Sequence, residues 1–345
     1  MTDKEIKIGK HTIGNGYPPF IIAEMACAHD GDFEKAKKLI DAAVEAGAQA
    51  VQLQFFVAEE TVTPHHPVSE LLKKIEFSPA QWTDLFAYAK KQGILVFVCT
   101  YDVSSVSLAV KLKADGIKLN SADLSNPEVV IAVAKSGIPF TLGTGASLPT
   151  EIEAGIKLAA SHGAKNIILM HGVQNFPTKT EDLNISRVLF LKETFGLPTG
   201  YHDHTEGDDV FANVVDLIAV GMGAHVLEKH ITLNRAEKGI DYQAALEPHE
   251  FKTYVERMKR AWIAYGKYTP GEFTESDLKY RKFQKKSIVA ASDIKAGEVF
   301  DRGKVLYIRN AEPGMPPSMF ERINGKKAAR NINKFENILE QDVTV

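Results

Sequence analysis

Apolar and polar positions follow a repeating pattern between about residue 20 and residue 266. Each repeat has a short apolar run, a polar or glycine-bearing junction, an amphipathic stretch and a glycine just after that stretch. A glycine at this place takes up the left-handed conformation that ends a helix and lets the chain turn back. The glycines with this position are Gly47, Gly93, Gly116, Gly137, Gly163, Gly196, Gly223 and Gly266. The pattern therefore predicts strands that alternate with helices.

Eight of the apolar runs have the length of strands. They are 20–23, 50–56, 94–100, 117–120, 139–143, 166–171, 199–202 and 225–230. Helix starts follow them, with Asp32 as a cap and Pro127 and Pro149 at first helical positions. Strands and helices that alternate at this spacing give a parallel sheet. Eight units fit a closed (β/α)8 TIM barrel better than an open doubly wound sheet, which commonly has about five or six strands.

The chain is predicted to have four segments. Residues 1–19 are rich in glycine and proline and predict a hairpin that closes the bottom of the barrel, which itself covers residues 20–267. Residues 268–284 are polar and basic and predict a linker. Residues 285–345 consist of short apolar runs between turns and predict a second, small domain. Within the barrel, residues 58–79 are the longest irregular loop before the linker and a candidate lid.

Composition narrows the function classes. The 41 Lys and Arg residues are balanced by 44 Asp and Glu residues, for a net charge of −3, so there is no basic excess for binding nucleic acid. The sequence has no run of about 18 apolar residues that could span a membrane. It starts with a polar segment rather than a signal peptide, and its two cysteines, Cys27 and Cys99, are too few for a disulfide framework. We expect a cytoplasmic protein.

Polar residues collect at the carboxyl ends of the predicted strands, where TIM barrels place their active sites. A buried strand would ordinarily remain apolar to its end, so these side chains predict contact with solvent or a ligand. They are Glu24, His29, Gln52, Gln54, Cys99, Asp102, Lys118, Ser121, Asp123, Thr144, His171, Gln174, Asn175, His202, Asp203, His204, Glu228, Lys229 and His230.

Two of these histidines, His204 and His230, end neighbouring strands and are the best metal candidates. His202 lies two residues before His204 and shares its side of the strand, so a three-histidine site is an alternative. The structural explanation is that these histidines are hydrogen-bonded residues at the rim of the barrel.

Lys118 ends an apolar strand and must find an anionic partner there. One explanation is a phosphate or carboxylate ligand. The other is an internal salt bridge to Glu24 or Glu228. Gly143-Thr144-Gly145 follows the next strand and could expose backbone N–H groups to an anion.

The order of these motifs resembles the sialic acid synthase family. The resemblance covers essentially the whole chain. In the barrel it is carried by Ile21–Glu24 with His29–Gly31, Lys118–Asp123, Thr144-Gly145, His171 with Phe176–Thr178, Asp203–Thr205, Glu228–Thr232, Lys238–Asp241 and Leu246–Pro248. In the tail it is carried by Ser287–Val289, Asp293–Glu298, Arg309 and Pro313-Gly314, which resemble an antifreeze-like domain of the β-clip type.

The resemblance implies a metal-dependent condensation of phosphoenolpyruvate with an N-acetylhexosamine or a related aldose, giving a nonulosonic 2-keto acid and phosphate for surface polysaccharide. The metal, Mn²⁺ or Mg²⁺, would bind to His204 and His230, and Zn²⁺ becomes an option if His202 also ligates. It also implies a domain-swapped homodimer in which Arg309 reaches the sugar's acyl group in the partner's barrel. The residues given catalytic roles are Glu24, Gln54, Lys118 and Glu228. Those given substrate-binding roles are Gln52, Ser121, Asp123, Thr144, Gln174, His202, Asp241 and Arg309.

Several positions depart from the family pattern. Gln52 stands where the family usually has lysine, Gly143 where it has serine, Gln174 where it often has asparagine and His202 where it has serine. Asp123 and Phe176 replace the more usual glutamate and tyrosine. Loss of a lysine removes a fixed positive charge from a site for a trianion. Two alternatives therefore stay open: a divergent enzyme with another donor or with metal-dependent lyase or hydrolase chemistry, and a non-catalytic sugar-binding relative.

Overall fold

The computed structural model describes residues 4–266 and 272–344. The chain divides into two compact units, at residues 267 and 268. Residues 1–3 of the predicted hairpin segment, residue 267 of the predicted barrel segment, residues 268–271 of the predicted linker and residue 345 lie outside the described part.

An antiparallel hairpin precedes the barrel. Its strands are β1 (Ile6–Ile8) and β2 (His11–Ile13). The three isoleucines at positions 6, 8 and 13 are buried against Phe20, Phe97 and other residues of the lower barrel interior. The hairpin therefore covers the amino-terminal end of the barrel with apolar side chains.

The barrel is formed, within the described residues, by eight parallel strands. Each strand pairs with the next, and the last returns to the first with Glu228 opposite Ile22 and His230 opposite Glu24. The strands are β3 (Phe20–Glu24), β4 (Ala50–Phe55), β5 (Leu95–Thr100), β6 (Gly116–Leu119), β7 (Phe140–Gly143), β8 (Ile167–His171), β9 (Thr199–Asp203) and β10 (Val226–Ile231). A short strand, β11 (Ala245–Leu246), extends the sheet beside β10. The predicted TIM barrel is confirmed.

Helices surround the strands, and most of them bury one apolar face against the strands. They are α1 (Phe33–Ala46), α2 (Ala58–Thr61), α3 (Ser69–Ile75), α4 (Pro79–Lys91), α5 (Val103–Leu112), α6 (Pro127–Ser136), α7 (Pro149–Ser161), α8 (Arg187–Phe195), α9 (Asp216–Gly221) and α10 (Pro248–Tyr265). Asp32 caps α1, and Pro127 and Pro149 begin α6 and α7 as predicted.

Two details differ from the prediction. Gly116 does not end a helix: Lys113 takes the left-handed conformation after α5, and Gly116 begins β6. A Cβ at Gly116 would lie 2.3 Å from the Phe97 ring, so this glycine makes room inside the barrel. Residues 58–79 are not a wholly irregular loop, since they contain α2 and α3.

The second unit has its own apolar core. A helix, α11 (Glu275–Gln284), occupies much of the predicted linker, and all of its residues are exposed except Gln284, which is half-buried. Two antiparallel strands follow, β12 (Ser287–Ala290) and β13 (Val305–Ile308). Their apolar residues pack with those of later turns, including Phe300, Phe320 and Ile338. Short runs between turns, as the sequence indicates, thus supply one small core.

Candidate active site

The interior of the barrel changes from apolar to polar along its length. Successive side chains of a strand face opposite sides, so residues two apart share the interior. The lower layers contain Phe20, Ile22, Phe97 and Ile168. The layers towards the carboxyl ends contain, on the same sides of the strands, Glu24, Gln52, Gln54, Cys99, Lys118, Thr141, His202, Glu228 and His230. The candidate site is this polar half of the interior.

Lys118 lies between two buried carboxylates. Its Nζ bonds Glu228 Oε1 and is 3.7 Å from Glu24 Oε2. Burial would lower the pKa of Lys118, but the two carboxylates together raise it, so the lysine is charged. The internal salt bridge considered from the sequence is thus formed with Glu228, with Glu24 close by, and it keeps an ammonium group inside the barrel.

Glu24 is held by amide groups, and burial favours its protonated form. It accepts the N–H of Ala26 at 2.6 Å and bonds the side-chain amide of Gln52, while Gln54 Nε2 is 3.4 Å away. Burial raises the pKa of Glu24 to about 8, against the lowering effect of Lys118. Burial thus favours a form of Glu24 that has a proton to donate, and Gln52 orients the carboxyl group.

Several buried polar atoms of this layer have no hydrogen-bond partner among the described residues. They are Gln52 Oε1, Thr141 Oγ1, Glu228 Oε2 and both ring nitrogens of His202. His202 Nδ1 is 3.9 Å from Glu228 Oε1. Buried polar groups are ordinarily satisfied, so such a group of free atoms in one interior layer indicates a bound ligand or water.

The position of the His202 ring depends on the absence of a side chain at Gly172. A Cβ at Gly172 would lie 1.6 Å from the ring of His202. Any larger residue at position 172 would displace the imidazole, so the two positions must be considered together.

His204 and His230 lie side by side, with ring centroids 5.0 Å apart. His204 Nδ1 is 2.6 Å from the Val173 carbonyl, which fixes its tautomer and leaves Nε2 as a ligand atom. Burial lowers the pKa of both histidines, that of His204 to about 4, so both are neutral. Neutral imidazoles are metal ligands, and the pair fits a cation that takes its other ligands from water or substrate.

The three-histidine alternative is not supported. No three His, Cys, Asp or Glu side chains within residues 4–266 and 272–344 are arranged to hold a metal ion. The rings of His202 and His204 are 5.2 Å apart, but His202 Nδ1 is directed towards Glu228, 3.9 Å away, and its Nε2 lies against Gly172.

Two residues that the sequence places at the barrel mouth face outward. Asp203 and Lys229 lie one position from the histidines and point into the layer between barrel and helices. There Lys229 also bonds the Ala212 carbonyl at 2.7 Å and Asp216 at 3.4 Å. The expected contact of Asp203 and Lys229 with solvent or ligand is therefore wrong, because odd and even positions of a strand face opposite sides.

A polar cleft of about 480 Å³ lies beside the mouth of the barrel, and its lining includes Ser121, Gly145 and Gln174. Asp123 lies just after Ser121, is half-buried and accepts a hydrogen bond from Asn126 at 3.1 Å. Thr144 is buried, and its hydroxyl donates to the Met170 carbonyl at 2.9 Å. The cleft offers hydroxyl and amide groups rather than cations.

Asp241 lies at the mouth of the barrel, in the loop after β10. Burial raises its pKa to about 6, and its charge in turn raises the pKa of Glu24 and of Cys27. Arg309 belongs to the second unit, where it is exposed just after β13.

Two contacts near the site were not found from the sequence. Phe176 packs against both His204 and His230, with ring centroids 4.2 Å and 5.6 Å away. Asp30 bonds the backbone of Ile240, which is 210 residues away in the chain. The position of Asp30 beside Gly31 in the first loop could have marked it in the sequence. Its contact with Ile240 could not be predicted, because it depends on the closure of the barrel.

Across the described ranges, no helix is long and apolar enough to cross a membrane.

The chain is similar to known proteins over most of its length. Residues 39–269 match the model of the NeuB family. An uncharacterised protein of Methanocaldococcus jannaschii is 34% identical over 89% of this chain and 89% of its own. The N,N'-diacetyllegionaminic acid synthase of Campylobacter jejuni is 32% identical over 93% of this chain and 98% of its own. The solved N-acetylneuraminic acid (sialic acid) synthetase of Leptospira borgpetersenii is 31% identical and superposes with a TM-score of 0.75 over 81% of this chain and 96% of that chain.

Proposed function

Because the chain belongs to the NeuB family, we propose that it condenses phosphoenolpyruvate with an N-acetylhexosamine or a related aldose to give a nonulosonic 2-keto acid. The observation that carries the proposal is the polar interior layer, in which a charged lysine, a glutamate whose protonated form is favoured by burial, and unpartnered polar atoms adjoin two neutral histidines.

The reaction forms one carbon–carbon bond and one carbon–oxygen bond, and it breaks the carbon–oxygen bond to phosphate. The enol carbon of phosphoenolpyruvate attacks the aldehyde carbon of the open-chain sugar, and the aldehyde oxygen takes a proton. Water adds at the pyruvyl C2, its oxygen becomes the keto oxygen, and phosphate leaves with its bridging oxygen. The acceptor, the donor and one water thus account for the 2-keto acid and phosphate.

Lys118 and Ser121 hold the phosphate end of the donor in this proposal. The ammonium group of Lys118 supplies positive charge inside the barrel, and Ser121 adds a hydroxyl from the adjoining cleft. Gln174 lines the same cleft, Thr144 precedes Gly145 beside it, and Gln52 and His202 face the donor with their free atoms.

Glu24 and Glu228 are the candidate acid and base. Burial favours the protonated form of Glu24, which can give its proton to the developing alkoxide. Glu228 has a free Oε2 that can orient the attacking water. Gln54 lies beside Glu24, and Asp123 and Asp241 border the mouth, where they accept hydrogen bonds from sugar hydroxyls.

Mn²⁺ or Mg²⁺ would bind His204 and His230. When bound, the cation polarises the aldehyde oxygen of the sugar. Phe176 packs against both rings and excludes water from their apolar side.

The proposal also includes a homodimer, in which residues 285–345 of one subunit complete the site of the other. We assign residues 285–345 as an antifreeze-like domain that brings Arg309 to the sugar's acyl group in the partner's barrel. A cysteine placed next to Arg309 should then cross-link to a cysteine at the barrel mouth of the other subunit. Cross-linking confined within one chain would contradict the domain swap.

The test is release of phosphate. The purified protein is incubated with Mn²⁺, phosphoenolpyruvate and a panel of N-acetylhexosamines and plain aldoses, with controls that omit the sugar or add a chelator. We expect sugar-dependent release that the chelator abolishes. Lys118→Met should abolish release, whereas Lys157→Met, which removes an exposed lysine of α7, should not. Absence of release with every sugar would contradict the proposal.

A different anionic donor is the second candidate. Gln52 is uncharged and bonds Glu24. A Cβ at position 143 would lie 2.8 Å from the backbone nitrogen of Ser121. The donor region therefore has less positive charge than a lysine at position 52 would give. Binding of other carboxylates or phosphates, with phosphoenolpyruvate failing to bind, would favour this candidate.

A further inference from the structure

The loop after β10 is tied to the first loop of the barrel by one carboxylate. Asp30 Oδ1 accepts the N–H of Ile240 at 3.0 Å, and its Oδ2 accepts Lys35 Nζ at 2.7 Å. Lys35 also reaches Glu237 at 3.0 Å. A single cluster therefore connects the start of α1 to the segment 237–241.

Gly239 allows this cluster to form. A Cβ at position 239 would lie 2.6 Å from Asp30 Oδ2, which is closer than non-bonded atoms approach. Because Asp30 is short, its carboxylate would have to leave its place to make room. The glycine thus permits the approach of Asp30 to the loop backbone.

The segment held in this way ends in Asp241. That residue has a left-handed backbone, with φ of 59°, which is uncommon for a non-glycine residue. Ile240 packs at the same time onto a small apolar cluster with Cys27 and Phe56 at the barrel mouth. The hydrogen bond from the Ile240 N–H to Asp30 thus orients the side chains of Ile240 and of Asp241.

We propose that Asp30, Lys35 and Gly239 form a latch that positions Asp241 for the acceptor sugar. The inference rests on the proposed function, in which Asp241 binds sugar hydroxyls. Asp30 and Lys35 are positioning residues, because they act through the loop and need not touch the sugar. The latch affects the acceptor and leaves the donor site around Lys118 unchanged.

The variants are chosen to separate the latch from general stability. Lys35→Met and Asp30→Asn weaken the latch, and Gly239→Ala displaces Asp30 without changing a charge. Lys37→Met is the matched control, since Lys37 is on the same helix and pairs with Glu34 on the surface at 2.8 Å.

Kinetics in both substrates give the first readout. We expect the three latch variants to raise KM for the sugar about tenfold or more, with kcat changed less and KM for phosphoenolpyruvate within about twofold. Asp241→Asn should produce the same selective effect, and adding Asp30→Asn to it should produce little more. Equal changes in both KM values, or no change in the sugar KM, would overturn the proposal.

Hydrogen exchange of the ligand-free protein gives a readout that does not depend on turnover. Amides of residues 237–243 should exchange faster in Lys35→Met and Gly239→Ala than in Lys37→Met. Unchanged exchange would overturn the latch even if the enzyme is active. Faster exchange in a protein that releases no phosphate with any sugar would show that the latch exists and that the proposed function, with the acceptor role of the latch, is wrong.

Discussion

Strands β9 and β10 carry buried, ionisable residues on both their inward and outward sides, but the hydrogen bonding of the two sets differs. The inward side has His202 and Glu228, whose polar atoms are partly free among the described residues. The outward side has Asp203 and Lys229, which are fully buried and bonded to each other. Both sides are buried and charged, so burial alone does not distinguish a site from a structural network. The two are distinguished by whether the buried polar atoms have hydrogen-bond partners.

The outward network connects four elements. Lys229 bonds Asp203 on β9, and Asp216 on α9 accepts the hydroxyl of Tyr254 on α10 at 2.9 Å. Burial raises the pKa of Asp216 to about 7, while Lys229 holds that of Asp203 below its usual value despite burial. Lys229 therefore stabilises the charged form of Asp203 inside this network. The network fixes the barrel wall to the helices behind the histidine pair.

Lys229→Met should have the largest effect on stability. It leaves Asp203 buried without its counter-charge, and the free energy of unfolding should fall by about 3–5 kcal/mol. Chemical denaturation measures the loss. Adding Asp203→Asn to Lys229→Met should recover part of it, because the unpaired charge is then gone. A loss below about 1 kcal/mol would show that the network is not structural.

Glu228→Gln tests the inward side, where activity should change far more than stability. Phosphate release should fall on the order of a hundredfold or more. The loss of free energy of unfolding should be smaller than that of Lys229→Met, because Glu24, 3.7 Å from Lys118, can ionise in its place. A stability loss as large as that of Lys229→Met, with full activity, would reverse the comparison between the two sides.

The effect expected at His29 is absent at neutral pH and develops only as pH falls. Its Nδ1 accepts the Gly31 N–H at 3.0 Å, its ring stacks on Phe77, and burial lowers its pKa to about 4. The unfolded value is about 6.5, so the folded state favours neutral imidazole. The stability that this contributes is complete above pH 6.5 and is lost as pH falls towards 4, by up to about 3 kcal/mol.

His29→Gln should therefore flatten the dependence of unfolding free energy on pH between about 6.5 and 4. Urea denaturation at a series of pH values measures it, with His65→Gln, which replaces an exposed histidine, as the control. An equally steep dependence in both variants would show that another group is responsible.

Local signals allowed much of the fold to be predicted. The caps at Asp32 and Pro127 and the apolar runs gave the strands to within a few residues, since both depend on neighbours in the chain. Strict alternation of inward and outward side chains along each strand would also have predicted that Asp203 and Lys229 face outward. Gly116 was misassigned because its role depends on Phe97, which lies on the neighbouring strand.

The sequence by itself determined the repeating strand and helix units, the polar strand ends and the motifs of the family, because periodicity, caps and residue chemistry are local properties. Only the tertiary structure decided which of those polar residues meet. Lys118 and Glu228 are 110 residues apart and Asp30 and Ile240 are 210 apart. Their contacts depend on strand register and on closure of the barrel from β10 to β3, which bring distant strand ends to one place.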